Sequence, residues 1–302
     1  MKATCIINNY NYDKFLEEAI QSCLEQTRKF DEIIIVDDGS SDNSVKIIHK
    51  YIDEQSNIKL IVKANAGQLS CFDVGFKAST GDIIFFLDAD DTYAATYLET
   101  ALNFYNENPS CDFLFCGRKE FGLSNRVIRE KSQDTDYGYT LLLTYITRAW
   151  IGAPTSTISL KRSLLCKILP LPLWSDWITR ADDCIIVGAS LAGGYKMYMD
   201  KLMINYRVHG NNYFAGRKFT FGQQYKHFLA TDRMYQFFSK KYWLNNLMAN
   251  YLYREFRTIP NPDYHQVRKY IKAVKKSNIT FLKKVSNIMK IIYYFFSLKG
   301  KK

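Results

Sequence analysis

Short apolar runs alternate with longer amphipathic segments through the first 90 residues of the chain. Four runs of about five residues, Thr4–Asn8, Glu32–Val36, Ile58–Val62 and Ile83–Leu87, are mainly apolar. Runs this short predict buried strands, whereas the segments between them repeat their apolar residues every three to four positions, as helices do. The pattern therefore predicts an α/β fold in which a mostly parallel, Rossmann-like sheet is flanked by helices.

A polar loop follows each predicted strand. The loops are Asn8–Tyr12, Asp37–Ser40, Asn65–Gln68 and Asp88–Asp91. Parallel strands release the chain at their carboxyl ends, and ligands bind at that edge in open α/β sheets. We therefore expect the four loops to line one crevice.

The loop after the fourth strand is the most acidic of the four. Asp88 and Asp90 lie two residues apart, so in extended backbone they point the same way. Neighbouring carboxylates repel one another unless a cation lies between them, and Mg²⁺ or Mn²⁺ is bound by one or two carboxylates together with phosphate oxygens. The alternative is a solvated acidic turn in which Asp91 or Thr92 caps the next helix.

The middle of the chain adds a second acidic pair, Asp182 and Asp183. The pattern there predicts these elements: a strand at Cys111–Cys116, a helix from Ser175 to about Leu191, and two short strands at Tyr195–Met199 and Leu202–Tyr206. Acids in the first turn of a helix are favourable to its dipole, which is the structural explanation for the pair. In a cleft, such a pair could instead serve acid–base chemistry.

Composition narrows the class of protein. The chain has 302 residues, 47% of them hydrophobic, which is enough for a full core. Its seven cysteines are scattered without a Cys-x-x-Cys pair, which predicts reduced thiols and argues against a zinc site. Neither a secretory signal nor a membrane-spanning run is evident, so we expect a cytoplasmic protein.

The last 90 residues differ in charge from the rest. Residues 213–302 hold 19 Lys and Arg against 3 Asp and Glu, a net +16, whereas residues 1–212 carry −5. Helical periodicity predicts these helices: Phe221–Phe238, Trp243–Phe256, Tyr264–Lys276 and Thr280–Leu298. We expect residues 1–212 to form the catalytic domain and residues 213–302 a basic, aromatic helical extension.

The final predicted helix is amphipathic. Its apolar stripe contains Phe281, Val285, Ile288, Ile292 and Phe295, opposite several lysines. A basic amphipathic helix of this kind is typical of segments that lie on an anionic membrane surface. The same stripe could instead pack on the catalytic body or on another subunit. In the second case the protein would be a homo-oligomer.

Taken together, the motifs resemble family 2 inverting glycosyltransferases, in particular those of bacterial surface-polysaccharide synthesis. The matching segments occur in the family's order and spacing: Ile6–Asn11, Gln26–Thr27, Glu32–Asp42, Asn65–Gly67, Gly81–Asp82 and Phe86–Asp91. The resemblance implies a GT-A fold, with residues 1–115 as the nucleotide-sugar half and 116–212 as the acceptor half. The chain departs from the family pattern at Asn8, where Pro is common, and at Asp73, where Asn is common.

The resemblance also assigns roles to individual residues. Transfer would proceed from a nucleotide-sugar, commonly a UDP-sugar, to a glycan or lipid-linked acceptor, with Mn²⁺ or Mg²⁺ as cofactor. The nucleotide-sugar would be bound by these residues: Asn8, Tyr10, Asp37, Asp38, Asn65, Gly67, Gln68, Asp88 and Ala89. Asp90, Asp88 and His209 would hold the metal, although a lone histidine is more often structural. Asp183, preceded by Asp182, would be the base.

Acceptor contacts are the least specific part of the interpretation. Trp150, Trp174 and Trp177 flank the second acidic pair and could stack on a sugar ring, and Asp176 lies between two of them. Large aromatic side chains are more often part of a core. The sequence alone does not choose between these roles.

Two other functions are compatible with parts of the chain. Phe86–Thr92 also resembles the motif of haloacid-dehalogenase-type phosphatases, in which Asp88 would be the nucleophile. That motif usually ends the first strand of its domain, whereas here three strand–helix units precede it. A non-enzymatic protein could bind nucleic acid through the basic extension, but the acidic strand ends would repel phosphates unless a metal were present.

Overall fold

The computed structural model describes residues 1–210 and 219–299. The strands, in chain order, are β1 Ala3–Asn9, β2 Glu32–Asp37, β3 Ile58–Val62, β4 Ile83–Asp88, β5 Thr92–Tyr93, β6 Phe113–Gly122, β7 Val127–Ile128, β8 Thr135–Tyr139, β9 Ile158–Lys161 and β10 Tyr195–Val208. The α-helices are α1 Asp13–Leu24, α2 Ser44–Glu54, α3 Gln68–Ala78, α4 Tyr97–Glu107, α5 Leu141–Thr147, α6 Arg162–Ile168, α7 Asp182–Leu191, α8 Phe221–Lys241, α9 Leu252–Phe256, α10 Tyr264–Lys276 and α11 Phe281–Lys299.

The strands of the described chain form one sheet, in the order β3-β2-β1-β4-β9-β6-β10-β5, with β7 on β6 and β8 on β10. Strands β1 to β4 pair in parallel, as predicted, and their register places Asn8 opposite Asp88 and Asn9 opposite Asp37. Their carboxyl ends are therefore level. Strand β9 runs antiparallel between β4 and β6, a reversal that the sequence pattern did not indicate. The predicted α/β sheet flanked by helices is confirmed.

Hydrophobic residues fill both faces of the sheet. Ile6, Ile34 and Phe86 point into one core, and Ile7 and Leu87 point into the other. Successive side chains of a strand alternate between faces, so two buried faces require the continuous apolar runs seen in the sequence. Helices on each side cover these cores.

Three predicted elements differ from the structure. The two short strands after residue 194 are one strand, β10, whose register is irregular between Met199 and Ile204. The helix expected from Ser175 begins only at Asp182, because Arg180 adopts a left-handed conformation with φ +61° that ends any helix there. The helix expected over Trp243–Phe256 is a 3₁₀ turn at Asn246–Tyr251 followed by α9, and Trp243 also has a positive φ of 54°.

The C-terminal helices pack on the sheet domain rather than standing apart from it. Phe238, Phe256, Tyr270 and Phe295 are almost fully buried and belong to the same core as Ile34 and Phe86. The predicted domain boundary between residues 212 and 213 lies outside the described residues. Within residues 1–210 and 219–299, no helix has the length and apolarity needed to cross a bilayer.

Glu255 links the extension to the body through hydrogen bonds. Its buried carboxylate accepts the backbone N–H groups of Leu142 at 2.6 Å and Leu143 at 2.9 Å, and the Tyr270 hydroxyl at 3.0 Å. The first N–H groups of a helix have no partner within the helix, so Glu255 satisfies the start of α5. Burial raises the pKa of the Glu255 carboxyl to about 7, against the opposing effect of these donors.

The raised pKa of Glu255 predicts a specific pH dependence of stability. Because the folded chain binds this proton more tightly than the unfolded chain, the contribution of Glu255 to stability is fullest below about pH 4 and declines as pH rises through 7. Glu255→Gln cannot titrate, so the wild type should lose unfolding free energy relative to this variant between pH 4 and pH 8. Urea unfolding across this range measures the difference. A difference that stays constant with pH would contradict the prediction.

Candidate active site

A cavity of about 1020 Å³ opens at the carboxyl ends of the parallel strands. It is bounded by the loops after β1, β2, β3 and β4, by the start of α7 and by α8. Most residues assigned from the sequence line it, namely Asn8, Tyr10, Asp38, Asn65, Gly67, Gln68, Asp88, Ala89, Asp90, Trp177, Asp182, Asp183 and His209. The fold thus brings both acidic pairs to one cavity.

Asp38 and Asp37 occupy different layers of the site. Asp38 lines the cavity, accepts the backbone N–H groups of Ala66 at 3.0 Å and Gly67 at 2.8 Å, and pairs with Lys63. Asp37 lies beneath, fully buried, where it accepts the Asn9 amide at 2.7 Å and the backbone and side chain of Ser40. Asp37 therefore shapes the loop, and Asp38 is the member of the pair that can meet a ligand.

The end of β4 places Asp88 and Asp90 at the cavity wall. His209 Nε2 lies 3.0 Å from Asp90 Oδ2, so the segment after β10 reaches the same point. Burial, and next the charge of Asp90, raise the pKa of Asp88 to about 7. Asn8 Oδ1 is also buried beside this strand end and accepts no hydrogen bond from a described residue.

These donors fit a hard divalent cation. They provide carboxylate, amide and imidazole groups, and a cation would offset both burial and the charge of Asp90, which together raise the Asp88 pKa. Nowhere in the described ranges do three His, Cys, Asp or Glu residues cluster closely enough to hold a metal by themselves. Mg²⁺-type sites commonly complete their coordination with water and phosphate oxygens, so two carboxylates are sufficient.

Asp91 anchors the two segments that meet here. It is buried and accepts Ser156 Oγ at 2.6 Å and the Arg207 backbone N–H at 2.8 Å. Arg207 Nε in turn donates to the Asp90 carbonyl oxygen at 2.9 Å. Asp91 thus fixes the end of β10, and with it His209, against the end of β4. Its role is structural, and it is not the helix cap that the sequence offered as an alternative.

The second acidic pair opens α7. Asp183 accepts Trp150 Nε1 at 2.8 Å and pairs with Arg180 at 2.8 Å, and His227 Nε2 lies 3.8 Å away. Burial raises the pKa of Asp183, whereas Arg180 and His227 oppose that rise. Burial, followed by the charges of Asp183 and Asp88, raises the pKa of Asp182 to about 8. The two acids therefore differ in environment, which is the condition for different roles.

Gln68 connects the two acidic pairs. Its Nε2 donates to Asp88 Oδ1 at 2.8 Å, and its Oε1 accepts the backbone N–H of Ala181 at 2.9 Å, one residue before α7. The backbone N–H of Gln68 also donates to the Ile178 carbonyl at 2.8 Å. Gly67 permits this approach, because a Cβ there would lie 2.4 Å from Ile178 Cα and the φ is +89°.

Two of the acceptor residues suggested by the sequence lie elsewhere. In the described chain neither Trp174 nor Asp176 lines the cavity. Trp174 Nε1 donates to Asp73, and Asp176 pairs with Arg233 at 2.7 Å, so both stabilise the surface between α3, α7 and α8. Trp177 does line the cavity, but it is only 1% exposed and its ring packs edge-on against His227.

Several cavity residues carried no usable signal in the sequence. His227 and Tyr235 come from α8, Arg180 from the loop before α7, and Arg148 from the position directly after α5. None of them belongs to a recognisable sequence motif. From the sequence alone, His227 is simply one residue of a basic helix. Trp150 was among three tryptophans that the sequence could not rank. The fold brings these residues to one cavity from segments far apart in the chain.

Known proteins match both the sequence and the fold. Residues 4–166 match the model of Glycosyl transferase family 2. An uncharacterized glycosyltransferase of Nostoc sp. is 34% identical over 232 residues, which are 75% of this chain and 71% of that relative. Two further curated relatives, uncharacterized glycosyltransferases of Haemophilus influenzae and Bacillus subtilis, match over 40% and 32% of their own length.

Two solved structures share the fold at low identity. TarS of S. aureus in complex with UDP-GlcNAc has a TM-score of 0.58 and 17% identity, covering 99% of this chain and 91% of that one. A mannosyltransferase of Pyrobaculum calidifontis in complex with GDP-Man and Mn²⁺ has a TM-score of 0.56 and 17% identity, covering 99% and 86%. The expected GT-A type of fold is confirmed. Given the family match over residues 4–166 and the close Nostoc relative, the chain belongs to glycosyl transferase family 2, whose members are sugar-transferring enzymes.

Proposed function

We propose that this enzyme is a metal-dependent, inverting glycosyltransferase that moves a sugar from a nucleotide donor to an acceptor hydroxyl. The observation that carries the proposal is the presence of two acidic pairs on one cavity, Asp88 with Asp90 and Asp182 with Asp183. Direct displacement needs a charged site for the leaving diphosphate and a separate base for the acceptor. Family membership favours this function over a phosphatase that uses Asp88 as nucleophile.

Residues on two sides of the cavity would have different roles: one side would bind the donor, and the other would supply the base. Asp38, Asn65 and the loop at Gly67 would hold the nucleoside, with exposed Tyr10 at the rim. Asp183 would accept the proton of the acceptor hydroxyl, whose oxygen bonds to the anomeric carbon as the bond to the diphosphate breaks. The diphosphate leaves with that electron pair. Arg180 and Trp150 donate to Asp183 and keep its carboxylate oriented.

A divalent cation, Mn²⁺ or Mg²⁺, would be held by Asp90 and Asp88, with His209 adjacent, and would offset the charge developing on the leaving diphosphate. The mannosyltransferase of similar fold binds Mn²⁺ with GDP-Man, and TarS binds UDP-GlcNAc. We propose a UDP-sugar donor and, as acceptor, a glycan or lipid-linked sugar of surface-polysaccharide synthesis.

Replacing the proposed base should abolish transfer without loss of donor binding. In Asp183→Asn the amide cannot take the proton, so kcat should fall about 10²–10⁴-fold, the usual contribution of a general base. Metal-dependent UDP release with a panel of nucleotide-sugars measures transfer, and calorimetric titration with UDP and Mn²⁺ measures binding. The exposed Asp53→Asn is the control and should behave as wild type. Full activity of Asp183→Asn would remove the assignment.

Replacing Asp90 should affect binding as well as rate. Asp90→Ala removes a proposed metal ligand, so the affinity for UDP in the presence of Mn²⁺ should fall at least about tenfold. The affinity for uridine, which has no phosphate, should be unchanged. An Asp90→Ala variant that binds UDP and Mn²⁺ as the wild type does would place the metal elsewhere.

We also propose that α11 lies on an anionic membrane surface. The stripe expected from the sequence is divided, since Phe295 and partly Ile288 pack on the core. A neighbouring stripe is exposed instead and contains Leu282, Met289, Tyr293 and Phe296. Helix α11 carries Lys283, Lys284, Lys290 and Lys299 and no acidic residue, a charge that complements anionic headgroups.

Substitutions on the exposed stripe should weaken vesicle binding. The triple change Leu282→Ser, Met289→Ser and Tyr293→Ser should lower affinity for mixed phosphatidylglycerol and phosphatidylcholine vesicles at least about tenfold, since each apolar side chain withdrawn from lipid costs on the order of 1 kcal/mol. Co-sedimentation measures this. The control is Leu123→Ser with Val127→Ser, which are exposed on the body. Unchanged binding, or a wild type that dimerises through this stripe, would contradict the proposal.

A further inference from the structure

Trp150 lies beside the proposed base, where its indole ring is hydrogen-bonded at one edge but remains exposed. Its Nε1 donates to Asp183 Oδ1 at 2.8 Å, which fixes one edge of the indole ring. Even so, 43% of the residue remains exposed, and it lines the cavity. A tryptophan that serves only to pack buries its ring faces, so an anchored but exposed ring indicates a surface available to a ligand.

The surroundings of Trp150 fit an acceptor subsite. Tyr235, Met234 and Thr231 of α8 line the same cavity, and the Arg148 guanidinium lies 3.8 Å over the Tyr235 ring. Ligand sites are typically lined by aromatic and apolar side chains with a few placed polar groups. This part of the cavity has that composition, and Asp183 adjoins it through the hydrogen bond from Trp150.

Trp174 provides an internal comparison. It is exposed to almost the same degree, 42%, and its Nε1 also donates to a carboxylate, that of Asp73. It differs from Trp150 in position, because in the described chain Trp174 does not line the cavity. The same chemistry is thus present at two sites, and only one of them adjoins the proposed base.

We infer that the exposed face of Trp150 is the platform on which a pyranose ring of the acceptor stacks, so that a ring hydroxyl meets Asp183. This inference rests on the proposed function and narrows it to acceptors that present a sugar ring, rather than an open-chain polyol or a simple lipid alcohol. The C–H face of a pyranose is apolar and suits an indole face, whereas its hydroxyls project from the ring edge. The Nε1 edge of the indole ring is hydrogen-bonded to Asp183. A sugar ring stacked on the indole face would therefore bring its hydroxyl-bearing edge to the same carboxylate.

Ring binding can be tested without any transfer reaction. The chain has four tryptophans, so ¹⁵N-tryptophan labelling gives a small set of indole N–H signals, which the variants Trp150→Phe and Trp174→Phe assign. With UDP and Mn²⁺ present, titration with methyl glucoside, galactoside and mannoside should shift the Trp150 signal and leave that of Trp174 in place. Sorbitol, an open-chain polyol, should shift neither. An equal response to sorbitol, a shift confined to Trp174, or no shift up to the solubility limit would overturn the inference.

Steady-state kinetics of Trp150 variants distinguish stacking on the ring face from the hydrogen bond that Trp150 donates to Asp183. With the acceptor found by screening, Trp150→Leu should raise the acceptor KM about three- to tenfold, the range expected for one lost aromatic face contact. Trp150→Phe keeps a ring face but loses the donor to Asp183, so kcat should fall while the acceptor KM changes little. The donor KM should be unchanged in both. If both variants lowered kcat alone, Trp150 would only position Asp183, and the inference would fail while the proposed function stood.

Discussion

One side-chain amide holds the two halves of the site together. Gln68 donates to Asp88 and accepts from the backbone N–H of Ala181, so its side chain connects the end of β4 to the residue that precedes α7. A primary amide can make both contacts because it carries a donor and an acceptor at once. Neither glutamate nor leucine of similar size could do so. The spacing between the end of β4 and the start of α7 is thereby fixed by the covalent geometry of Gln68 and by its two hydrogen bonds.

Two features of the fold allow Gln68 to make both contacts. The carboxyl ends of the parallel strands are level, and α7 begins at Asp182, directly after Ala181. Parallel pairing brings Asn8 opposite Asp88, and Gly67 lets the β3–α3 loop approach Ile178 closely. Arg180, in a left-handed conformation, then turns the chain so that Asp182 and Asp183 open the helix toward the cavity. Lys196 supports the same region, since its buried Nζ donates to the carbonyls of Ile151 and Ile186.

The sequence predicted the sheet and both acidic pairs because these depend on local patterns. Apolar runs that end on acids define strand ends, and topology brings strand ends together regardless of the loops between them. His227 could not be found in this way, and Trp150 could not be distinguished from Trp174 and Trp177, because their places at the cavity depend on contacts between residues far apart in the chain. In α11 the residues are apolar on more than half of the circumference, so periodicity alone could not decide which stripe meets the core. Phe295, expected on the outer surface, faces inward for this reason.

The carboxylate of Glu255 also links the C-terminal helices to one side of the cavity. It satisfies the start of α5, and α5 ends at Thr147, immediately before Arg148 and Trp150. Helix α8 supplies Thr231, Met234 and Tyr235 to the same cavity. A substitution that displaces Glu255 would therefore act, through α5, on the part of the cavity that Arg148 and Trp150 line. The C-terminal helices thus help to shape the cavity itself, in addition to covering one face of the sheet.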